Sequence, residues 1–346
     1  MKFVSWRKAK RMPKRLESAQ SVVLNGNVYV GSERTLLSYS IENDEWSELP
    51  KPPQREFSMA VLNDKLVLVG GFDVSGIFSQ DISDKITVWD PDTGTCTWTH
   101  PFPHMPAARY ETTSTGYKGY LIIAGGRQHI PEDSNLVTSQ VEVPSLSTVE
   151  IFNSATSKWY SADPLPFECR AMRPSVMGDT LYMIGGQNRF DLTKAVVWTS
   201  LPKLISNACQ SPPISDHVTK SYSWNVLPPC PHYAASIPFC CCNHGNNDSN
   251  EDSDGDINKT SMPLLAVGGL SGLQLSMLGE LDMTGLTKDI NSYSHHTNQW
   301  TKIGELPEVC VGCSCSLLPS GELFVAGGGR FRSALNSVYL GKLQMK

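Results

Sequence analysis

Arginine recurs at one place relative to a pair of glycines along this chain. Four arginines lie at nearly the same distance before the first glycine of such a pair. They are Arg55, Arg109 and Arg170, and Arg15, which precedes Gly31 where the second glycine is replaced by Ser32. Three more follow closely behind a glycine pair: Arg127, Arg189 and Arg330. Because a guanidinium group binds a carboxylate or phosphate through two parallel hydrogen bonds, these arginines could form an anion-binding surface. The alternative is structural, with each arginine bridging neighbouring repeats through local carboxylates or carbonyl groups.

The glycine pairs belong to a repeat. An apolar run ending in Gly-Gly occurs at Leu66–Gly71, Leu121–Gly126, Leu181–Gly186, Leu264–Gly269 and Leu323–Gly328, with Val28–Gly31 as a degraded sixth copy. One tryptophan follows each of the first five copies along the chain: Trp46, Trp98, Trp159, Trp224 and Trp300. The clearest unit contains four predicted strands separated by turns: Arg55–Leu62, Leu66–Val69, Ile86–Trp89 and Cys96–Thr99. A four-stranded sheet of this size cannot bury both of its faces alone. The repeat units must therefore stack against one another.

The pattern resembles the kelch repeat, which forms propeller blades of four strands. The resemblance rests on the glycine pairs, the strand-four tryptophans and the strand-three aromatics Tyr39, Trp89, Phe152 and Tyr293. It implies an all-β, six-bladed kelch-type β-propeller, which we expect to be a single domain over residues 1–346. The last copy has no tryptophan, so we expect Phe3–Lys8, which contains Trp6, to supply its fourth strand and close the ring.

The resemblance also implies a function. We expect a non-enzymatic module that binds a protein or peptide partner, acidic or phosphorylated, on the arginine-bearing face, as an adaptor or scaffold. The long loops Phe72–Lys85 and Arg127–Leu146 open on that face and carry apolar residues, as recognition loops often do. Many relatives carry a BTB domain, whereas we expect a stand-alone kelch domain here. The alternative is a sugar-acid epimerase-like enzyme, or a small-molecule binder, that uses the central channel. No catalytic constellation and no cofactor is expected.

Composition sets further limits. The net charge is -5 and the pI is about 5.9, which does not favour nucleic-acid binding. No apolar run approaches the roughly 20 residues of a membrane span, and no signal peptide is evident, so we expect a cytoplasmic protein. The basic run Arg7–Arg15 leaves a nuclear location open, although a basic closing strand explains it better. The sequence does not indicate an oligomeric state.

Two insertions and a cysteine group remain. Leu201–Lys220 should interrupt blade four between strands three and four, and Cys241–Thr260 should interrupt blade five. The acidic part of the second, about 243–258, should be disordered, and its partial match to a calcium loop lacks two ligands. Two cysteine groups, Cys240–Cys242 and Cys310/Cys313/Cys315, are expected in or next to the innermost strands of neighbouring blades. Because strand side chains alternate, Cys310 should point away from the other two, which favours core packing over a metal site.

Overall fold

The structure is a computed structural model that describes residues 2–74, 81–91, 97–128, 144–188, 191–210, 223–232, 264–270, 274–275, 281–282, 285–330 and 333–344. Six larger antiparallel sheets are arranged as the blades of a six-bladed β-propeller. This confirms the predicted all-β fold. We number the strands of each blade one to four from the central channel outward.

The first three blades follow the order of the chain. Their strands are Gln20–Leu24, Asn27–Ser32, Thr35–Ser40 and Glu45–Glu48 in blade one; Ser58–Leu62, Lys65–Val69 and Ile86–Trp89 in blade two; and Thr113–Tyr117, Tyr120–Ala124, Val149–Asn153 and Lys158–Ala162 in blade three. In blade two, the segment predicted as strand four contributes an isolated bridge between Val88 and Thr99 among the described residues.

The other three blades complete the ring. Their strands are Arg173–Met177, Thr180–Ile184, Val196–Ser200 and Asn225–Leu227 in blade four; Leu264–Leu270, Leu286–Ser294 and Gln299–Glu305 in blade five; and Val311–Leu317, Glu322–Arg330, Val338–Gln344 and Lys2–Lys8 in blade six. Two-residue strands extend the loops: Gln54–Arg55 with Phe72–Asp73, Gln187–Asn188 with Asp191–Leu192, Gln274–Leu275 with Leu281–Asp282, and Ser333–Ala334.

The two ends of the chain share blade six. Lys2–Lys8 pairs antiparallel with Val338–Gln344, and Trp6 lies opposite Gly341. The indole of Trp6 also donates a hydrogen bond to the carbonyl of Glu305 in blade five at 2.9 Å. The predicted closure by the N-terminal strand is therefore confirmed, and it leaves blade six with the same four-strand order as blades one, three and four.

Hydrophobic side chains fill the spaces between the blades. In blade two, Leu66 and Leu68 pack against blade one, whereas Val67 and Val69 pack against blade three. Alternate side chains of a strand point to opposite faces, so a strand buried on both faces reads as an unbroken apolar run. The apolar run Leu66–Val69 before the glycine pair is thus explained by the burial of this strand between blades one and three.

The glycine pair sits where one blade meets the next. Gly70 has φ +63° and Gly71 has φ +88°, in the left-handed region. A Cβ on Gly70 would lie 2.3 Å from the carbonyl oxygen of Arg109 in blade three. The amide of Gly71 donates a 2.9 Å hydrogen bond to that same carbonyl. Glycine is required here by both the backbone conformation and the close approach of the neighbouring blade.

The repeated tryptophans also connect neighbouring blades. Their indole N–H groups donate to backbone carbonyls of the preceding blade: Trp46 to Lys10, Trp98 to Pro50, Trp224 to Asp163 and Trp300 to Pro228. The distances lie between 2.7 and 3.2 Å. Trp159 is the exception, because its Nε1 is buried with no hydrogen-bond partner among the described residues.

The insertion in blade four begins with a helix, α1, over Leu201–Gln210. Leu201, Leu204, Ile205 and Ala208 are buried in the cluster between blades three and four. Their spacing defines one apolar face of a helix. The insertion was predicted at the right place, but its helix was not, although this spacing is visible in the sequence.

The cysteine prediction needs one correction. Cys310, Cys313 and Cys315 are all buried in one cluster between blades five and six. The nearby Cys313 side chain, together with burial, raises the pKa of the Cys310 thiol. The expectation that Cys310 points away from the other two is wrong, because Cys310 precedes the strand and Gly312, at φ +70°, turns the chain between them. The prediction of core packing is confirmed for these three residues.

Several sequence predictions lie outside the described residues. They concern Cys240–Cys242, the acidic segment 243–258 with its partial calcium motif, residues 75–80 of the first long loop and residues 129–143 of the second. Within the described part of the chain, no helix is long and apolar enough to cross a membrane.

Candidate functional site

The segment before strand one and the segment after strand two meet on one face of the propeller. Arg55 pairs with Phe72 in blade two, Tyr110 with Arg127 in blade three, and Arg170 with Gln187 in blade four. These bridges place Arg55, Arg127 and Arg170 on the same side. We call this side the channel face.

Arg109 does not belong to the surface of the channel face. Its side chain is 1% exposed and donates to the Gly125 carbonyl at 3.3 Å, to Thr148 Oγ1 at 3.2 Å and to Glu150 Oε2 at 2.7 Å. Burial lowers the pKa of Arg109, while the Glu150 carboxylate opposes that shift. The expected surface position of Arg109 is wrong, because its side chain is buried within blade three, where it contacts its own blade and does not bridge to a neighbouring one.

The spacing explains the error. Arg55 and Arg170 are equally far from their glycine pairs and occupy equivalent bridging positions, whereas Arg109 lies one position further from its own pair. The residue of blade three at the bridging position is Tyr110. Because successive side chains point to opposite sides, this shift by one position turns Arg109 into the interior.

The other predicted arginines have mixed positions. Arg15 is exposed just before blade one. Arg330 ends strand two of blade six and pairs with Ser333 through its backbone, and its side chain lies outside the described set. Arg189 is likewise outside the described residues. Arg15, Arg189 and Arg330 therefore stay predictions as binding residues.

Arg127 and Arg170 converge on a single carboxylate. Arg170 donates from Nη1 to Glu111 Oε2, and Arg127 Nε lies 3.6 Å from the same oxygen. Both guanidinium groups are largely buried, with side-chain exposures of 9% for Arg170 and 18% for Arg127. Arg127 and Arg170, which were predicted to bind an anion of a partner, thus already contact the Glu111 carboxylate of the protein itself.

An aromatic ridge lies beside this group. The guanidinium of Arg55 stands 4.8 Å over the ring of Phe72, and the rings of Phe72 and Tyr110 are 4.7 Å apart. All three side chains are partly exposed. Arginine and tyrosine are enriched among the residues that dominate binding energy at protein interfaces. We call Arg55, Phe72 and Tyr110 the aromatic ridge.

A cavity of about 300 Å³ opens at the channel beside the ridge. Residues from four consecutive blades line it, among them Glu33, Glu56, Phe57, Glu111, Met172 and Arg173. We call it the channel-mouth cavity. Its volume lies near the lower end of the roughly 300–1,000 Å³ typical of ligand pockets, so it suits one side chain or a small molecule.

The carboxylates of this cavity were missed in the sequence. Glu56 and Glu111 directly follow the bridging positions of blades two and three, with φ of 54° and 51°. Ala171 repeats the position in blade four, with φ 53°. Non-glycine residues rarely adopt this conformation, and no sequence signal marks it for glutamate. Only a strand-by-strand alignment shows that these residues share one place.

The carboxylates influence one another. Partial burial raises the pKa of Glu56, the negative charges of Glu33 and Glu111 raise it further, and Arg55 opposes them. Arg55 approaches Glu56 to 3.6 Å, beyond hydrogen-bond distance. The Glu56 carboxylate is therefore stabilised less well than the Glu111 carboxylate, which holds two arginines.

Metal chemistry finds no support in the described part of the chain, where no three His, Cys, Asp or Glu side chains converge closely enough to hold an ion. Serine hydroxyl groups deeper in the channel form hydrogen bonds with one another. Ser58 and Ser114 hydroxyls lie 2.8 Å apart, as do those of Ser21 and Ser316. This arrangement resembles a packed channel wall more than a nucleophile with its base.

No protein-family model matches the chain. Kelch-like protein terF of Aspergillus terreus is 26% identical over 200 residues, which cover 53% of this chain and 41% of that protein. Kelch-like protein 36 of Rattus norvegicus is 21% identical over 339 residues, covering 91% and 44%. Beta-scruin of Limulus polyphemus is 25% identical over 154 residues, covering 43% and 15%. The chain thus spans less than half the length of each of these relatives.

Among solved structures, YjhT is similar with a TM-score of 0.69 and 16% sequence identity. The match covers 97% of this chain and 99% of YjhT. At this identity the likeness concerns the fold alone. The relatives found by sequence and the neighbour found by structure both agree with the repeat and the fold expected from the glycine pairs and tryptophans.

Proposed function

We propose that this chain, a kelch-repeat β-propeller, is a non-enzymatic protein-interaction module that binds a peptide segment of a partner on the channel face, as an adaptor or scaffold. Its kelch-like relatives support the general class. The face itself is supported by one observation, the position of the channel-mouth cavity directly beside the aromatic ridge. A groove for one side chain next to exposed aromatic surface is suited to an extended peptide.

The ridge would supply most of the binding energy. Phe72 and Tyr110 are held by their mutual contact and by Arg55, so little side-chain entropy is lost when a partner covers them. The cavity would give specificity, because it accepts a single group bordered by fixed charges from four blades.

An acidic or phosphorylated peptide was expected from the seven arginines, but the geometry does not favour it. Arg109 is buried against Glu150, while Arg127 and Arg170 share Glu111. An anionic partner would have to displace Glu111 from two guanidinium groups. We therefore propose that the partner peptide binds on the channel face, without a preference for negative charge.

A small polar molecule in the channel-mouth cavity is the second candidate, including the sugar acid of an epimerase-like enzyme. The observation that favours it is the volume of about 300 Å³ together with carboxylates and Arg173 in the lining. The described residues lack a dry acid–base pair in this cavity, because its carboxylates face either solvent or arginine. For this reason we rank the peptide first.

Affinity capture from lysate of the natural source can test the proposal. The test variant is Phe72→Ala/Tyr110→Ala, which removes the two rings of the aromatic ridge. The control variant is Tyr120→Ala/Tyr160→Ala, which removes two half-buried tyrosines of blade three that lie away from the ridge. Partner recovery should fall by about tenfold or more for the ridge variant, as for interface hot spots, and stay unchanged for the control. Equal recovery by both folded variants would contradict the proposal. A metabolite seen by native mass spectrometry, with no captured protein, would favour the second candidate.

A further inference from the structure

One carboxylate of the channel-mouth cavity has no counter-ion among the residues that the structure describes. Glu33 lies in the turn after strand two of blade one, is exposed, and makes no ion pair or hydrogen bond with any residue that the structure describes. The other carboxylates differ. Glu111 contacts Arg170 and Arg127, and Glu56 lies 3.6 Å from Arg55.

Glu33 and Glu56 line the same cavity, and their negative charges repel each other. The charge of Glu33 is the largest electrostatic contribution to the raised pKa of Glu56, after partial burial. Arg55 opposes this shift, and its guanidinium also lies over the ring of Phe72. A positive group placed between the two carboxylates would relieve this repulsion.

We propose that the channel-mouth cavity receives the cationic side chain of an arginine or lysine of the partner peptide, bound between Glu33 and Glu56. This inference rests on the proposed function and specifies the chemistry of its ligand. It reverses the charge expected from the sequence, since the protein contributes the carboxylates and the partner contributes the cation.

The remaining lining fits such a side chain. Phe57, Met172 and Pro174 present apolar surface in the same cavity as Glu33 and Glu56. Arginine and lysine side chains have apolar stems and charged tips, so they pack well where both kinds of surface occur together. A guanidinium group can also bridge two carboxylates through its several N–H donors.

Other ligands fit less well. A bare metal ion would need converging ligands, and the described residues offer no group of three. An anion would face Glu33 and Glu56, while Arg127 and Arg170 already bind Glu111. Arg173 lies in the blade-four part of the lining and has interactions of its own within the protein.

A titration without the partner tests the cavity directly. The probe is N-acetyl-arginine N-methylamide, and the matched control is its citrulline analogue, which has nearly the same shape but no charge. Binding is followed by NMR on protein with ¹³C-labelled methionine methyl groups, because Met172 lines the cavity whereas Met12 lies between blades one and six. The site variant is Glu33→Gln/Glu56→Gln, and Glu42→Gln/Glu168→Gln removes two exposed carboxylates elsewhere.

The arginine probe should shift the Met172 signal and leave Met12 unchanged, and the citrulline analogue should not shift either. The site variant should weaken binding by about tenfold or more, as expected for lost charge-assisted hydrogen bonds, while the control variant should bind like the parent. Equal binding of citrulline, unchanged binding by the site variant, or no response of Met172 would overturn the proposal. None of these results would alter partner capture through the aromatic ridge, so the two proposals fail separately.

Discussion

Arg109 Nη2 donates a 2.7 Å hydrogen bond to Glu150 Oε2, which joins the segment before strand one of blade three to strand three of the same blade. Both side chains are almost completely buried, at 1% and 11% exposure. Arg109 also donates to the Gly125 carbonyl at the glycine pair. This pair fixes the position of Tyr110 and Glu111, the two residues that blade three contributes to the ridge and the cavity.

Removing one member of this pair should destabilise the fold strongly. Arg109→Ala leaves the Glu150 carboxylate buried without a counter-ion, which typically costs about 3–5 kcal/mol. Arg55→Ala should cost less than about 1 kcal/mol, since that side chain is 33% exposed and its ion pair is long. Urea denaturation of both variants measures the difference. Similar losses for the two would show that the Arg109–Glu150 pair is not a structural anchor.

The closing strand should carry a measurable part of the stability. Trp6→Ala removes the hydrogen bond to the Glu305 carbonyl and the edge contact with Tyr339 at 6.5 Å between ring centroids. We expect a loss of about 2 kcal/mol, less than for a fully buried tryptophan. The matched substitution Val226→Ala, at the most exposed large apolar side chain of the described residues, should change little. If thermal melts show the same midpoint for parent and Trp6→Ala, the Trp6 side chain does not stabilise the closure.

The repeated indole hydrogen bonds predict a difference between two equivalent tryptophans. Trp46→Phe loses the 2.7 Å bond to the Lys10 carbonyl and should cost about 1 kcal/mol. Trp159→Phe removes an indole N–H that has no partner among the described residues, so it should be close to neutral or stabilising. Both rings pack on a neighbouring aromatic, Tyr39 or Phe152, at similar distances. The reverse order of the two effects in chemical denaturation would contradict the assignment.

Stability should fall on mild acidification because of His232. Burial lowers the pKa of His232, with Lys194 and Lys302 adding to the shift and Asp289 opposing it. Its Nε2 accepts a 2.7 Å hydrogen bond from Asn291 Nδ2, which a protonated ring could not do.

The sign follows from the lowered pKa. The unfolded chain takes up a proton as pH falls through the usual histidine pKa of about 6.5, while the folded protein resists until a lower pH, so stability is lost over that interval. The contribution of one histidine has a slope of at most about 1.4 kcal/mol per pH unit. Urea denaturation between pH 7.5 and 5 should show this loss, and His232→Gln should flatten it. An equal slope in the variant would assign the loss to other groups.

The sequence predicted the architecture well because each repeated residue has one dominant physical role. Gly70 must adopt positive φ and touch Arg109, Leu66 and Val67 must be buried on opposite faces, and Trp46 must reach the preceding blade. Such requirements leave the same residue types at similar spacing in most of the units. The closing role of Trp6 followed from the missing tryptophan of the last copy.

The site was predicted less well because it depends on side-chain direction. Intervals that differ by a single position look alike in a sequence, yet they place Arg55 at the surface and Arg109 in the interior. The partnership of Arg170 with Glu111 joins residues 59 positions apart on different blades.

Site-specific photo-crosslinking tests the central claim, that a partner binds on the channel face, most directly. A benzoylphenylalanine is placed at Arg34, in the exposed turn after strand two of blade one, or at Asp64, in the exposed turn between strands one and two of blade two on the opposite face. The account predicts that irradiation in lysate joins a partner to the Arg34 variant, and that Phe72→Ala/Tyr110→Ala in the same chain abolishes the product. A partner joined only to the Asp64 variant would contradict the account and assign binding to the opposite face.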